Sequence, residues 1–206
     1  MRVDLDHPAD YTDRLRLKSG VALTLRFAGL DDAALLQDYF RALSPSSRYS
    51  RLMGAAPELP AGQLVRFLRL GEAGAYTVLA TLGNDHGETA VAELRYVHHD
   101  DEHAVEFGVS VHDRWQGRGI GTALLANLDC RAAALGAGTL YGDTLRSNAA
   151  MIGLARKSGY QLEASIDWKQ TRMRKPVAYV PQTIPCASWR MAALQSELSQ
   201  TIGSRA

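Results

Sequence analysis

"DRWQGRGIGTALL", residues 113–125, decides how this chain is read. Gly117, Gly119 and Gly121 alternate with single residues and run straight into an apolar helical pattern. Glycine costs about 0.5–1 kcal/mol against alanine in regular structure, so three so close together need a reason. A flexible joint needs only one. Close approach of the backbone to a ligand is a better reason, and a helix N-terminus behind the glycines suits an anion.

Three phosphate-binding patterns compete for the stretch. A P-loop requires lysine after its last glycine, and none follows here. A dinucleotide fingerprint, G-x-G-x-x-G counted from Gly117, meets Thr122 where its third glycine belongs, although Asp143 falls where a ribose-binding acid is expected. The third pattern, [Q/R]-x-x-G-x-[G/A], is matched at each fixed position by Gln116, Gly119 and Gly121.

The rest of the sequence bounds the function. Its 206 residues suit one domain, and 46% apolar residues suffice for a sizeable core. A net charge of +1 gives no field to draw nucleic acid or an anionic membrane. No apolar run approaches the roughly 18 residues of a membrane span. The N-terminus, acidic and broken by Pro8, does not read as a signal peptide. A soluble, cytoplasmic protein is expected. Cys130 and Cys186 are too few and too far apart for a disulfide framework or a zinc site, and Cys130 reads as a small buried hydrophobe.

Periodicity predicts a mixed α/β chain. Residues 1–20 read as irregular, 21–180 as the functional domain, and 181–206 as an extension whose helical part serves as an appendage or a homodimer contact. Strands are expected at 21–28, 75–83, 88–97, 103–111 and 139–145, with two closing strands within 160–180. Gly87 supplies the turn after 84. Helices are expected from Asp31 or Asp32 to Leu43, over 60–70, from Gly119 to Leu135, and from Ser147 or Asn148 to Gly159. Pro45 breaks the first helix, with Ser46 or Ser47 starting a further short turn.

These motifs resemble the GNAT superfamily of acyl-CoA-dependent N-acyltransferases over about residues 20–175. The resemblance implies an α+β fold, with a mixed, mostly antiparallel sheet flanked by helices. It also implies acetyl-CoA as co-substrate, its diphosphate on the backbone N–H groups of the Gln116–Thr122 loop. There Gly117, Gly119 and Gly121 would keep side chains away from phosphate, and Arg118 would add charge or face solvent. "VEFGVSV" resembles the family strand whose backbone, here near Val109 and Val111, pairs with pantetheine. "SNAAMIGLARKSGY" resembles the second family helix, with Asn148 near the thiol end or serving as an N-cap. "LSPSSRYSRLM" is similar to a segment of the GNAT domain in bacterial protein lysine acetyltransferases. There Arg48 and Tyr49 would shape acceptor specificity or pin the loop.

Acyl transfer to an amine requires the neutral amine, so a general base is needed. Glu106 is the carboxylate of "AVEFGVSV"; it alternates away from the apolar Val105–Phe107–Val109–Val111 face, where partial desolvation would suit a base. The resemblance also assigns that role to the glutamate of this strand. Glu93 in "VAELRYV" is the second candidate, with a surface pairing to Arg95 or another cation as its ordinary role. The family's tyrosine acid is missing, since Ala155 holds its position, and neither Ser158 nor Tyr160 is assigned that role. "HHDDEH", 98–103, reads as a solvated acidic turn, and the mechanism requires no metal. The acceptor is a protein lysine or a small amine. A non-catalytic acyl-CoA-binding regulator and a nucleotide-binding module are the alternatives from other classes.

Overall fold

The computed structural model describes residues 3–84 and 87–203, so 85–86 of the expected turn lie outside it. Eight strands form one sheet in the order β1-β2-β3-β4-β5-β6-β8-β7. They are β1 (Asp13–Arg16), β2 (Ala22–Phe27), β3 (Ala75–Asn84), β4 (Gly87–His99), β5 (Ala104–Val111), β6 (Thr139–Leu145), β7 (Gln161–Ala164) and β8 (Gln170–Pro176). Every neighbouring pair is antiparallel except β5 and β6. The mixed, mostly antiparallel sheet flanked by helices is therefore as expected.

Among the described residues six α-helices cover it: α1 (Ala33–Ala42), α2 (Pro45–Leu52), α3 (Ala61–Leu68), α4 (Ile120–Leu135), α5 (Ala149–Lys157) and α6 (Ala187–Gly203). Leu36, Tyr39, Phe40 and Leu43 recur at helical spacing and bury α1 beside α3 against Leu79 on one face. On the other face α4 lies between the sheet and α6. It is buried almost all round, with Leu124, Leu125, Leu128 and Cys130 at or near zero exposure.

Three expectations need correction. Residues 13–16 are not irregular: they form β1, paired with β2, and Tyr11 before them is buried with its ring 4.9 Å from Trp189. The polar "DRLR" hid this strand because its inward Asp13 has buried polar partners. Asp13 accepts hydrogen bonds from Asn127 Nδ2 (2.6 Å) and Ser188 Oγ, while Arg131 Nε donates to Asn127 Oδ1 (2.6 Å). The Arg131 guanidinium lies between the rings of Phe27 and Trp189, at 4.9 and 4.6 Å. Secondly, Pro45 does not merely end α1. It opens α2 at the first helical position, where a missing N–H costs nothing, and Ser44 rather than Ser46 or Ser47 caps it. Thirdly, Cys130 is buried, as read, but it is bonded to Cys186, with Cα atoms 6.0 Å apart. Packing of the segment before α6 onto α4 brings together cysteines 56 residues apart, which spacing could not reveal. No helix among the described residues is long and apolar enough to cross a membrane.

Opening the Cys130–Cys186 bond frees a 56-residue loop, which in the chain-entropy model removes about 4 kcal/mol. Calorimetry with and without dithiothreitol should show a melting temperature about 10 °C lower when reduced. An unchanged value would assign the hold on α6 to Trp189 and Ile184, both fully buried.

Candidate active site

The site begins where two strands part. β5 pairs with β6 over only Ala104–Glu106 and Thr139–Tyr141, whereas its pairing with β4 continues to Val111. Gly142 lets β6 pass close at the parting point, since a Cβ there would run into the Phe107 carbonyl oxygen. Alternate residues of a strand present their backbone groups to opposite edges. His112 N–H donates to Val91 on the β4 side, so Val109 and Val111 present N–H and C=O to the gap. Gln116 closes its far end, donating from Nε2 to Val111 O at 3.0 Å. The resulting cleft, about 960 Å³, is bordered by Glu106, Val109, Val111, Gln116, Gly117, Gly119, Gly121, Thr122 and Asn148.

The three glycines serve two different needs. Gly117 (φ +73°) and Gly119 (φ +89°) are left-handed, with open space where a Cβ would stand. Gly121 has a different reason: a Cβ there would lie 2.8 Å from Leu154 Cδ2, so this glycine lets α5 pack close to α4. Gly121 also borders the cleft. The first N–H groups of α4 have no acceptor within the helix and, with the helix dipole, face the cleft mouth. Arg118 lies outside the cleft wall, its guanidinium 4.8 Å from the Trp115 ring centre. Asn148 is the N-cap of α5, its Oδ1 accepting from Met151 N–H (3.1 Å) and its Nδ2 donating to Thr144 Oγ1 (3.3 Å).

Glu106 stands at the head of the gap. Its side chain is 50% exposed, and its Oε2 lies 3.4 Å from His99 Nε2. His98 and His99 belong to β4 rather than to a turn, and the turn begins at Asp100. Glu93 is the buried carboxylate. It has no exposed side-chain surface and is held by Arg51 through Nε and Nη2, both at 2.8 Å. Its pairing is thus with Arg51 inside the protein, not with Arg95 at the surface. Ser110 Oγ sits 3.4 Å from Glu93 Oε2 and 2.8 Å from Tyr39 Oη. Burial pushes the Tyr39 hydroxyl well above its ordinary pKa, keeping it a neutral partner. Sequence reading missed Arg51. The available signal was Gly108, whose absent side chain leaves room for the Arg51 guanidinium. Ser158 and Tyr160 do not border the cleft, and Asp143, which does, is paired with Arg172 (2.7 Å).

The "LSPSSRY" segment acts as a brace. Asp113, the first residue of the deciding stretch, accepts from Ser44 N–H (2.8 Å), Ser44 Oγ (2.7 Å) and Ser47 Oγ (2.7 Å). Arg48 donates to the carbonyls of Phe40, Leu43 and Ala56, so it pins the loop, while Tyr49 is exposed. Together these bonds fix α2 against the entry to the glycine loop. Burial by itself would raise the Asp113 carboxyl, but its bonds to Ser44 and Ser47 hold it down at about 2.

Residues 36–160 match the model of the Acetyltransferase (GNAT) family, and the chain belongs to that family. Among solved structures it is similar to the GNAT domain of the S. lividans protein acetyltransferase PAT. The two are 25% identical with a TM-score of 0.76 over 82% of this chain and 98% of that one. It shares its fold with a GNAT-family acetyltransferase from Streptococcus pneumoniae (19% identity, TM-score 0.58, covering 76% of this chain and 99% of that one). It likewise shares its fold with the cAMP-binding acyltransferase of Mycobacterium smegmatis, at 19% identity and a TM-score of 0.58. That match covers 93% of this chain and 58% of the other. The chain is a GNAT-family acetyltransferase, and the family uses acetyl-CoA as co-substrate. The open edge of β5, the left-handed Gly117 and Gly119 and the unpaired start of α4 fit that molecule's pantetheine and diphosphate.

Asp113→Asn removes an acceptor whose folded pKa lies below the ordinary aspartate value of about 3.9. The stability advantage of wild type over the variant should be complete above about pH 4 and fade as pH falls toward 2. Urea unfolding at pH 7, 4, 3 and 2 measures it. An advantage that is flat with pH would remove charge from the role of this brace.

Proposed function

We propose that the protein transfers acetyl directly from acetyl-CoA to the ε-amine of a protein lysine, with Glu106 as general base. The observation that carries this reading is the place of Glu106. It is the last residue of β5 paired with β6, at the head of the gap whose other end is the glycine loop. Likeness to the S. lividans GNAT domain over nearly all of that chain supports the protein acceptor.

In this reading acetyl-CoA supplies the activated acetyl group as a thioester. The Gly117–Thr122 backbone and the start of α4 hold its diphosphate, and the Val109 and Val111 backbone aligns its pantetheine along β5. Arg118 adds charge beside the loop. An acceptor ammonium, with a pKa near 10, has no lone pair for attack. Glu106 takes its proton, directly or through one water, and its exposure lets that proton leave to solvent. Glu93 is unsuited to this work, because both its oxygens are engaged by Arg51 in a buried pair. Departure of the thiolate is left to later protonation by solvent, since Ala155 holds the position of the family's tyrosine. The disulfide leaves no free thiol among the described residues, so direct transfer within a ternary complex is the route.

Glu106→Gln should lower kcat/KM by roughly 10²–10⁴ at pH 7. It should regain rate about tenfold per pH unit toward the pKa of the amine near 10, as free amine becomes available. Stopped-assay coenzyme A release over pH 6–10 tests this; near wild-type rates at pH 7 would transfer the proton to water. Acetyl-CoA and coenzyme A, but not NAD⁺, should raise the melting temperature. A ligand at 100 times its Kd adds about 2.7 kcal/mol, and a response to NAD⁺ instead would return the loop to the dinucleotide reading.

A further inference from the structure

The wall of the cleft beside Glu106 carries more positive charge than its own partners neutralise. In the β4–β5 register Val97 faces Glu106, Arg95 faces Gly108 and Glu93 faces Ser110, so these six residues share one face of the sheet. The space over Gly108 is filled by the Arg51 guanidinium: a Cβ there would lie 2.9 Å from its Nη1 and 3.2 Å from its Cζ. Arg51 spends Nε and Nη2 on Glu93, and Nη1 looks across Gly108 into the cleft. Arg95 also borders the cleft, but its Nη1 donates to neutral acceptors, the Arg66 carbonyl (3.0 Å) and Thr77 Oγ1 (3.2 Å). Both guanidiniums lie over the Phe67 ring, at 5.4 and 4.8 Å from its centre.

Of these two guanidiniums, Arg51 is paired with a carboxylate and Arg95 bonds neutral acceptors. Burial, reinforced by Arg51 and Arg66 and opposed by the more distant charges of Glu93 and Glu72, pulls the Arg95 pKa down. One step of two residues along β5, about 6–7 Å, separates this positive wall from Glu106. The cleft thus offers a carboxylate at one point and a surplus guanidinium one extended side chain away.

Resting on the acceptor reading above, we infer that the acceptor carries an anionic group about 6–7 Å from the reacting amine, received by Arg95 and by Nη1 of Arg51. For a protein lysine this group is an acidic side chain flanking it or the chain's own terminal carboxylate. A planar guanidinium fork suits a carboxylate, and a charge-assisted hydrogen bond in a partly desolvated wall favours it over an amide of the same shape.

Coenzyme A release is measured with two matched pairs of acceptors. One is a peptide whose single lysine is flanked by glutamates, against the same peptide with glutamines; the other is lysine against lysinamide. The wild-type enzyme should prefer the carboxylate member of the glutamate pair by about tenfold or more in kcat/KM. Arg95→Gln should bring that ratio toward one, mainly through KM, and Arg95→Lys should restore part of it. Arg51 is not substituted, because its loss would strand the buried Glu93 charge. Ratios near one for both pairs in the wild type overturn the inference and leave the acetyltransferase reading standing. Inert peptides with lysine far ahead of lysinamide would sustain the inference while overturning the protein acceptor. The wild-type pairs decide the matter even if the Arg95 variants do not fold.

Discussion

Everything at the site depends on the parting of β5 from β6 after Glu106. A parallel strand pair normally satisfies both edges along its length, and here one strand gives up its partner for half its length. The Val109 N–H and C=O are left facing a gap instead of a neighbouring strand. Such groups favour a ligand that can hydrogen-bond as a strand would, which is what the amide-bearing arm of an acyl-CoA provides. The same parting puts Glu106 at the closed end and the start of α4 at the open end.

The cleft then has to be kept at a fixed width, and two charged arrangements do this from opposite sides. Asp113 ties the entry of the glycine loop to the N-terminus of α2 through three short hydrogen bonds. Farther in, Arg51 on α2 meets Glu93 on β4 as a bidentate pair inside the protein. A buried pair of this kind gains little over apolar packing, but breaking one side is costly. Its value lies in specificity: only one placement of α2 satisfies Glu93. Gly108 is the counterpart on β5, since any side chain there would compete with the guanidinium. The Arg51–Glu93 wall and the glycine loop are thereby linked through one short helix.

Much of the fold was legible because the patterns were strong and local. Alternation marked β2 and β5, helical spacing marked α1, and the glycines marked the N-terminus of α4, each within a residue or two of where it lies. The residues expected at the site border the cleft, apart from Arg118, and those from Glu106 to Thr122 lie on one contiguous stretch of chain. What escaped were pairings across long separations. Strand β1 was masked by Asp13, a residue that is inward-facing only because Asn127 and Ser188 meet it there. Cys130 and Cys186 read as unrelated until α6 was laid over α4. Arg51 drew no reading until Glu93 was found opposite it, and a surface pairing was the ordinary role read for Glu93 until α2 covered it.

The sequence by itself determined the family's glycine loop, the order of most strands and helices from β2 onward, and Glu106 as a carboxylate at the cleft. These are properties of short runs, where spacing along the chain equals placement in space. Tertiary structure alone decided which charges are buried with which, that both ends of the described chain pack onto α4, and that Gly121 meets Leu154 of α5. Those outcomes depend on contacts between segments far apart in sequence. A side chain's charge or size states what it can bond to, but only the fold brings the partner within reach.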